Sequence, residues 1–128
     1  MKKISFDGIG AVVATFEAAE GVAGGQAVKI GGNGRVEPCS AGDSFAGVAL
    51  EPRNGLAAVQ VKGFCTVTGS GLKTGRARLV ADGKGGVKPA GSAVITPGED
   101  GNVTVPAAEG AEVLVVSVET DGTAVICL

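Results

Sequence analysis

The 128-residue chain contains no histidine, no tryptophan and no tyrosine, and only three cysteines and four phenylalanines. Without imidazole, histidine acid–base catalysis and His-ligated metal sites cannot be built. Four Phe make a poor set of stacking platforms. Eleven basic against 13 acidic residues leave a net charge of −2, which offers phosphate backbones no general attraction. Nucleic acid is therefore not an expected partner. Long apolar runs are missing as well. The longest uncharged stretches, Gly63–Leu72 and Pro89–Gly98, are ten residues each, about half of what a membrane-spanning helix needs, so no membrane partner is expected. Met1-Lys2-Lys3 has the opening of a secretory signal, but Asp7 and two glycines interrupt its apolar core. Synthesis in the cytoplasm is the expectation.

Cys39, Cys65 and Cys127 are odd in number, widely separated, and contain no pair at the two-residue spacing of a zinc or redox site. Each lies among strand-forming residues, which reads as three small thiols in a reducing compartment. A reactive thiol wants a cationic neighbour, and in sequence only Lys62 near Cys65 offers one.

What the chain has is glycine and small aliphatics. Twenty-three glycines and five prolines suit a domain of many turns, and 45% of the residues are apolar. The length suits one domain and is too short for two good cores. Apolar and polar residues alternate with period two in Val28-Lys29-Ile30, Val59-Gln60-Val61-Lys62 and Arg76-Ala77-Arg78-Leu79, as on half-buried strands. Helical composition is confined to Phe16–Glu20 and Ala107–Glu112, one or two short turns at most. Turn signals separate the strand candidates: Gly31–Gly34, Pro52-Arg53-Asn54-Gly55, Asp82–Gly86, Pro97–Asn102 and Asp121-Gly122. Asn-Gly and Asp-Gly suit hairpins because the favoured two-residue turn needs positive φ at both positions. The domain is expected to be all-β.

Self-comparison shows a repeat. Gly25-Gln26-Ala27-Val28-Lys29-Ile30, a Gly-rich turn and Val36-Glu37-Pro38 return as Gly75-Arg76-Ala77-Arg78-Leu79-Val80, a Gly-rich turn and Val87-Lys88-Pro89. Val48–Glu51 with Val59-Gln60-Val61 is echoed by Val116–Glu119 with Val125-Ile126-Cys127. The pseudo-repeated halves cover about 25–62 and 75–128, within a single β domain over 10–128 that follows an N-terminal arm at 1–9. The second half carries an insertion at about 91–112. Two copies are too few for a solenoid, so the expectation is that the two pseudo-repeated halves interlock as one small closed or clipped, β-clip-like barrel, their pairing removing exposed sheet edges. Val113-Leu114-Val115-Val116 is apolar on both faces, which fits either a doubly covered strand or one whose outer face meets another subunit.

No catalytic constellation stands out. Gly69-Ser70-Gly71-Leu72-Lys73-Thr74 superficially looks like a nucleotide loop, but Leu72 stands where a P-loop has glycine before its lysine, and strand-like residues follow. Gly8-Ile9-Gly10 lacks the third glycine of a dinucleotide fingerprint. Glu99-Asp100 and Glu109/Glu112 are carboxylate pairs in turn-like segments, poor places to hold catalytic geometry. Asp100 and Asn102 do not follow the EF-hand spacing. The reading is non-enzymatic, with no cofactor and no metal.

The cadence of Gly25–Ile30, Phe45-Ala46-Gly47-Val48-Ala49-Leu50-Glu51 with Asn54-Gly55, Val59–Phe64, Gly75–Val80 with Asp82-Gly83, and the closing Val113–Leu128 resembles the head-decoration, or capsid-stabilising, proteins of tailed bacteriophages. The likeness spans about residue 10 to the end. It implies a β-barrel or β-clip domain on the outside of an assembled shell, bound to the major capsid protein, commonly oligomeric and without catalytic activity. The implied location is the virion capsid surface, and a trimer is the favoured assembly. Many symmetric copies would supply avidity, so each contact can be weak. The expected partner contacts are segments the barrel does not consume. One is the arm, through Lys2, Lys3, Ile4 and Phe6. The other is the insertion, as an extra hairpin through Val94, Ile95, Val103 and Val105. A stand-alone β-barrel module binding a peptide or small ligand in a bacterial cell is the alternative.

Overall fold

The computed structural model describes residues 9–90 and 110–128, together with the backbone of residues 96–97 and 103–104. Every regular element among them is a strand. They run β1 (Val12–Ala18), β2 (Ala27–Gly32), β3 (Arg35–Pro38), β4 (Gly47–Ala49), β5 (Leu56–Lys62), β6 (Phe64–Thr68), β7 (Gly75–Ala81), β8 (Val87–Pro89), β9 (Thr96–Pro97), β10 (Val103–Thr104), β11 (Ala111–Val118) and β12 (Thr123–Cys127). The expected all-β class, with a small closed barrel, is what the chain forms.

Closure occurs within the first half of the chain alone, so the barrel is not made by pairing the two halves as expected: β1 to β5 complete the hydrogen-bonded ring by themselves. Hydrogen-bonded neighbours follow the order β3-β2-β4-β5-β1, and β1 returns to β3 in parallel through Glu17↔Arg35 and Ala18↔Val36. The second half has the corresponding order β8-β7-β11-β12-β6 in a five-stranded sheet. Its outer strands are joined only by one isolated parallel bridge, Gly69↔Val87. The barrel encloses Val28, Val36, Ala49, Ala57 and Val59, with Phe16 and Ala18 packed against them. A larger cluster fills the second unit with Val67, Leu79, Val87, Val113, Val115 and Ile126, and it takes in Ala27, Phe45 and Val48 from the first half. The second unit's core therefore draws on both halves, while the barrel keeps a cluster of its own.

Helical composition at Phe16–Glu20 is overridden: Phe16–Ala18 belong to β1. β-branched Val12, Val13 and Thr15 favour extended backbone, and pairing with β5 from Val12↔Lys62 to Glu17↔Leu56 satisfies the main chain. Likewise Ala111 and Glu112 open β11 rather than ending a helical turn or the insertion.

Strand register moves the repeat by one residue from the superposition read in the sequence. Val28 faces Pro38 while Leu79 faces Pro89, so the equivalent of Val28 is Leu79 and not Arg78. Val59 likewise corresponds to Ile126, not Val125. All four of Val28, Leu79, Val59 and Ile126 are fully buried. A one-residue slip would turn Arg78 into the core, and burial forbids it.

In β11, Val113 and Val115 are buried, whereas Leu114 and Val116 are partly exposed. The strand is thus covered on one face, and the doubly covered alternative does not hold. The link between β4 and β5 forms as its residues require: Asn54 and Gly55 have φ of 53° and 76°. They close a two-residue loop in which Arg53 and Leu56 exchange both backbone hydrogen bonds, at 2.8 and 3.0 Å. Where the first unit passes to the second, buried Gln60 donates through Nε2 to the carbonyls of Lys62 and Phe64, at 3.1 and 3.0 Å. The chain crosses there against itself, because a Cβ on Gly63 would stand 2.6 Å from the Gly10 carbonyl.

Candidate functional site

Of the residues expected to meet a partner, Lys2, Lys3, Ile4, Phe6, Val94, Ile95 and Val105 lie outside the described residues. Val103 lies in β10, whose backbone pairs with β9 through Val103↔Pro97 and Thr104↔Thr96. Within the insertion, β9 and β10 thus pair antiparallel. The arm's last residue, Ile9, is described: its carbonyl accepts the Phe64 N–H at 3.0 Å, and its side chain is 54% exposed. With Val12 and Val13, each about half exposed, it forms an apolar start to β1. β-branched residues form the strand whether or not a core covers them, so these side chains stay in solvent.

An ionic cluster joins β2, β3 and the following loop. Asp43 Oδ2 accepts from Lys29 Nζ at 2.7 Å and from the Ser40 N–H at 2.8 Å, and Glu37 Oε1 lies 3.7 Å from the same ammonium. The Lys29 hydrogen bond holds the Asp43 carboxyl below its usual 3.8, and the reciprocal bond raises Lys29 above 10.5. Cys39 stands beside this cluster, so Lys29 is a cation near a thiol that the sequence did not announce. It does not activate the thiol. Partial burial and then the Asp43 charge raise Cys39 above 9.0, outweighing Lys29. The cluster ties down the loop that crosses to the second half, where Gly42 N–H donates to the Ala81 carbonyl and Ala81 N–H to that of Asp43, both at 2.9 Å.

A third feature was visible in sequence only as a rejected nucleotide loop. The turn after β6 is pinned by buried Leu72, and β7 follows it directly. A strand in place of a helix leaves no helix N-terminus for phosphate. Between this turn and β7 lies a surface concavity of about 580 Å³, lined by Gly71, Leu72, Lys73, Thr74, Arg76, Ala77, Leu79 and Pro89. Its base is aliphatic, and among the described residues its charged lining is cationic. No sequence pattern announced it, because Pro89 and Leu79 come to the Lys73 loop through sheet pairing.

Among the described residues, no group of three or more Cys, Asp or Glu converges as metal ligands. Asp82 and Asp121 serve their own turns: Asp82 Oδ1 accepts the N–H groups of Lys84 and Gly86, and Asp121 Oδ1 accepts the N–H and hydroxyl of Thr123. No protein-family model matches this chain, and no curated protein matches it.

Proposed function

We propose that the protein is a non-enzymatic structural protein of a tailed phage or prophage, binding the outer surface of the capsid lattice through the major capsid protein and stabilising it. The reading rests on the resemblance in the Gly/Val/Ala cadence. It is supported by a body whose described interior is mostly Val, Ala and Leu, and in which Glu37, Asp43, Asp82, Glu112 and Asp121 serve turns and ion pairs. The observation that carries it is the half-exposed apolar start of β1, Ile9, Val12 and Val13. This is surface that a partner could cover, next in the chain to the arm expected to dock. The assembly proposed on the virion is a small oligomer, a trimer by preference.

The test is sedimentation of the protein with purified expanded shells. Wild type is expected to pellet with the shells. Val12→Asp/Val13→Asp is expected to bind at least about tenfold more weakly while its circular dichroism is unchanged, since both side chains already face solvent. Wild-type protein remaining in the supernatant would overturn the reading.

A further inference from the structure

We propose that the concavity between the Gly71–Thr74 turn and β7 is a docking site for an extended peptide segment that presents an aliphatic side chain flanked by carboxylates. The inference rests on the capsid-binding reading and names the chemistry of the partner segment.

At about 580 Å³ the concavity falls within the roughly 300 to 1,000 Å³ of small-ligand pockets, room for a side chain together with the peptide groups that flank it. The floor is right as well. Leu72, Ala77 and Pro89 supply an apolar seat over fully buried Leu79, and Leu72 is held by the core, so the seat is formed before anything binds and little ordering cost remains. The charge selects the occupant. Among the described residues Lys73 and Arg76 both line the site and no acidic residue does, although the whole chain is net negative. Among the described residues Lys73 forms no ion pair, and Arg76 reaches only Glu112, at 4.0 Å with both side chains more than half exposed. Such a pair is weak and leaves Arg76 free to take a carboxylate in bidentate fashion. The concavity is open to the surface, which suits a segment passing over it with one side chain inserted.

The test uses the full chain, labelled with nitrogen-15, and a capped Glu-Leu-Glu-Val tetrapeptide as probe. Saturable shifts are expected at the amides of Gly71, Leu72, Lys73, Thr74 and Arg76. A Lys-Leu-Lys-Val control should bind at least about tenfold more weakly, as should the acidic peptide to Lys73→Glu/Arg76→Glu. Lys73→Gln/Arg76→Gln, which changes charge without reversing it, should weaken binding by an intermediate factor. The thermal midpoints of both variants should stay near that of wild type, since neither cation is buried. Equal binding of the two peptides, shifts elsewhere, or binding of octanoate without binding of the peptide would overturn the proposal. Shell sedimentation separates the two readings. Peptide binding by a wild-type chain that never pellets with shells overturns the capsid reading and leaves the site. Shell binding unaffected by Lys73→Glu/Arg76→Glu, with no peptide shifts, overturns the site and leaves the capsid reading.

Discussion

The two five-stranded units share a strand order and differ in how they close. In the first, β1 is long enough for its C-terminal residues Glu17 and Ala18 to pair with β3 after β5 has been covered. The enclosed Val28, Val36, Ala49, Ala57 and Val59 then form a core of their own. In the second, β6 ends at Thr68 and the chain turns away at Gly69, so one bridge to Val87 replaces a strand pair. That unit completes its interior with Leu72 from the turn and with Phe45, Ala27 and Val48 from the other half. A sheet can thus seal its core by hydrogen bonding its edges together or by inserting side chains from elsewhere. The second route makes it depend on its neighbour.

Phe45→Ala should break the comparison most severely. It removes the largest side chain that the first half contributes to the shared core, and aromatic truncation in a core costs about 3–5 kcal/mol. Urea denaturation should show this loss. Hydrogen exchange should show β11 and β12 losing protection before β5, because the closed barrel keeps its own apolar cluster. Uniform loss of protection in both units would mean that the first barrel is no more independent than the second.

Gly69→Ala tests the bridge itself. A Cβ there would lie 2.7 Å from both the Val87 carbonyl oxygen and Leu72 Cδ1. The backbone or the Leu72 plug must therefore shift, at a cost of roughly 1–3 kcal/mol. The thermal midpoint should fall, and amide shifts should concentrate at β8 and the Gly71–Thr74 turn. An unchanged midpoint would show the bridge to be dispensable.

The smallest effect belongs to the loop that ties the halves. Lys29 and Asp43 are 31% and 30% exposed, so solvent screens their pairing. Asp43 has a lowered carboxyl pKa, chiefly through the Lys29 hydrogen bond. Its contribution is therefore complete above the ordinary carboxylate value and is lost as pH falls through the lowered folded one. Thermal midpoints of wild type and Asp43→Asn should differ modestly at pH 6, keep that difference down to the ordinary carboxylate value of 3.8, and converge as pH falls further through the lowered folded value. A constant difference across that range would assign the loss to packing rather than charge.

Much of the architecture was legible in local pattern. Period-two alternation marked β2, β5 and β7, and the Asn54-Gly55 pair announced its own turn. Misreadings came where a residue's role depends on distant partners. Phe16–Ala18 have a composition that suits a helical turn, yet they are a strand because β3 and β5 lie on either side of them. The repeat superposed one residue out of place because Ala27 and Ala77 match as letters while burial aligns Val28 with Leu79. The Lys29–Asp43 pair and the Lys73–Arg76 concavity were silent in sequence, since side chains from different strands and loops carry no shared spacing.

Strand formation and tight turns follow from steric preferences among residues a few positions apart, so the order of amino acids alone settled that this chain folds as short strands joined by glycine turns. Closure of one unit, the open bridge of the other, and the placing of two cations over an aliphatic seat involve groups far apart along the chain. Those outcomes belong to packing in three dimensions, because burial of the whole core selects one register and one set of neighbours from the many that the alternation permits.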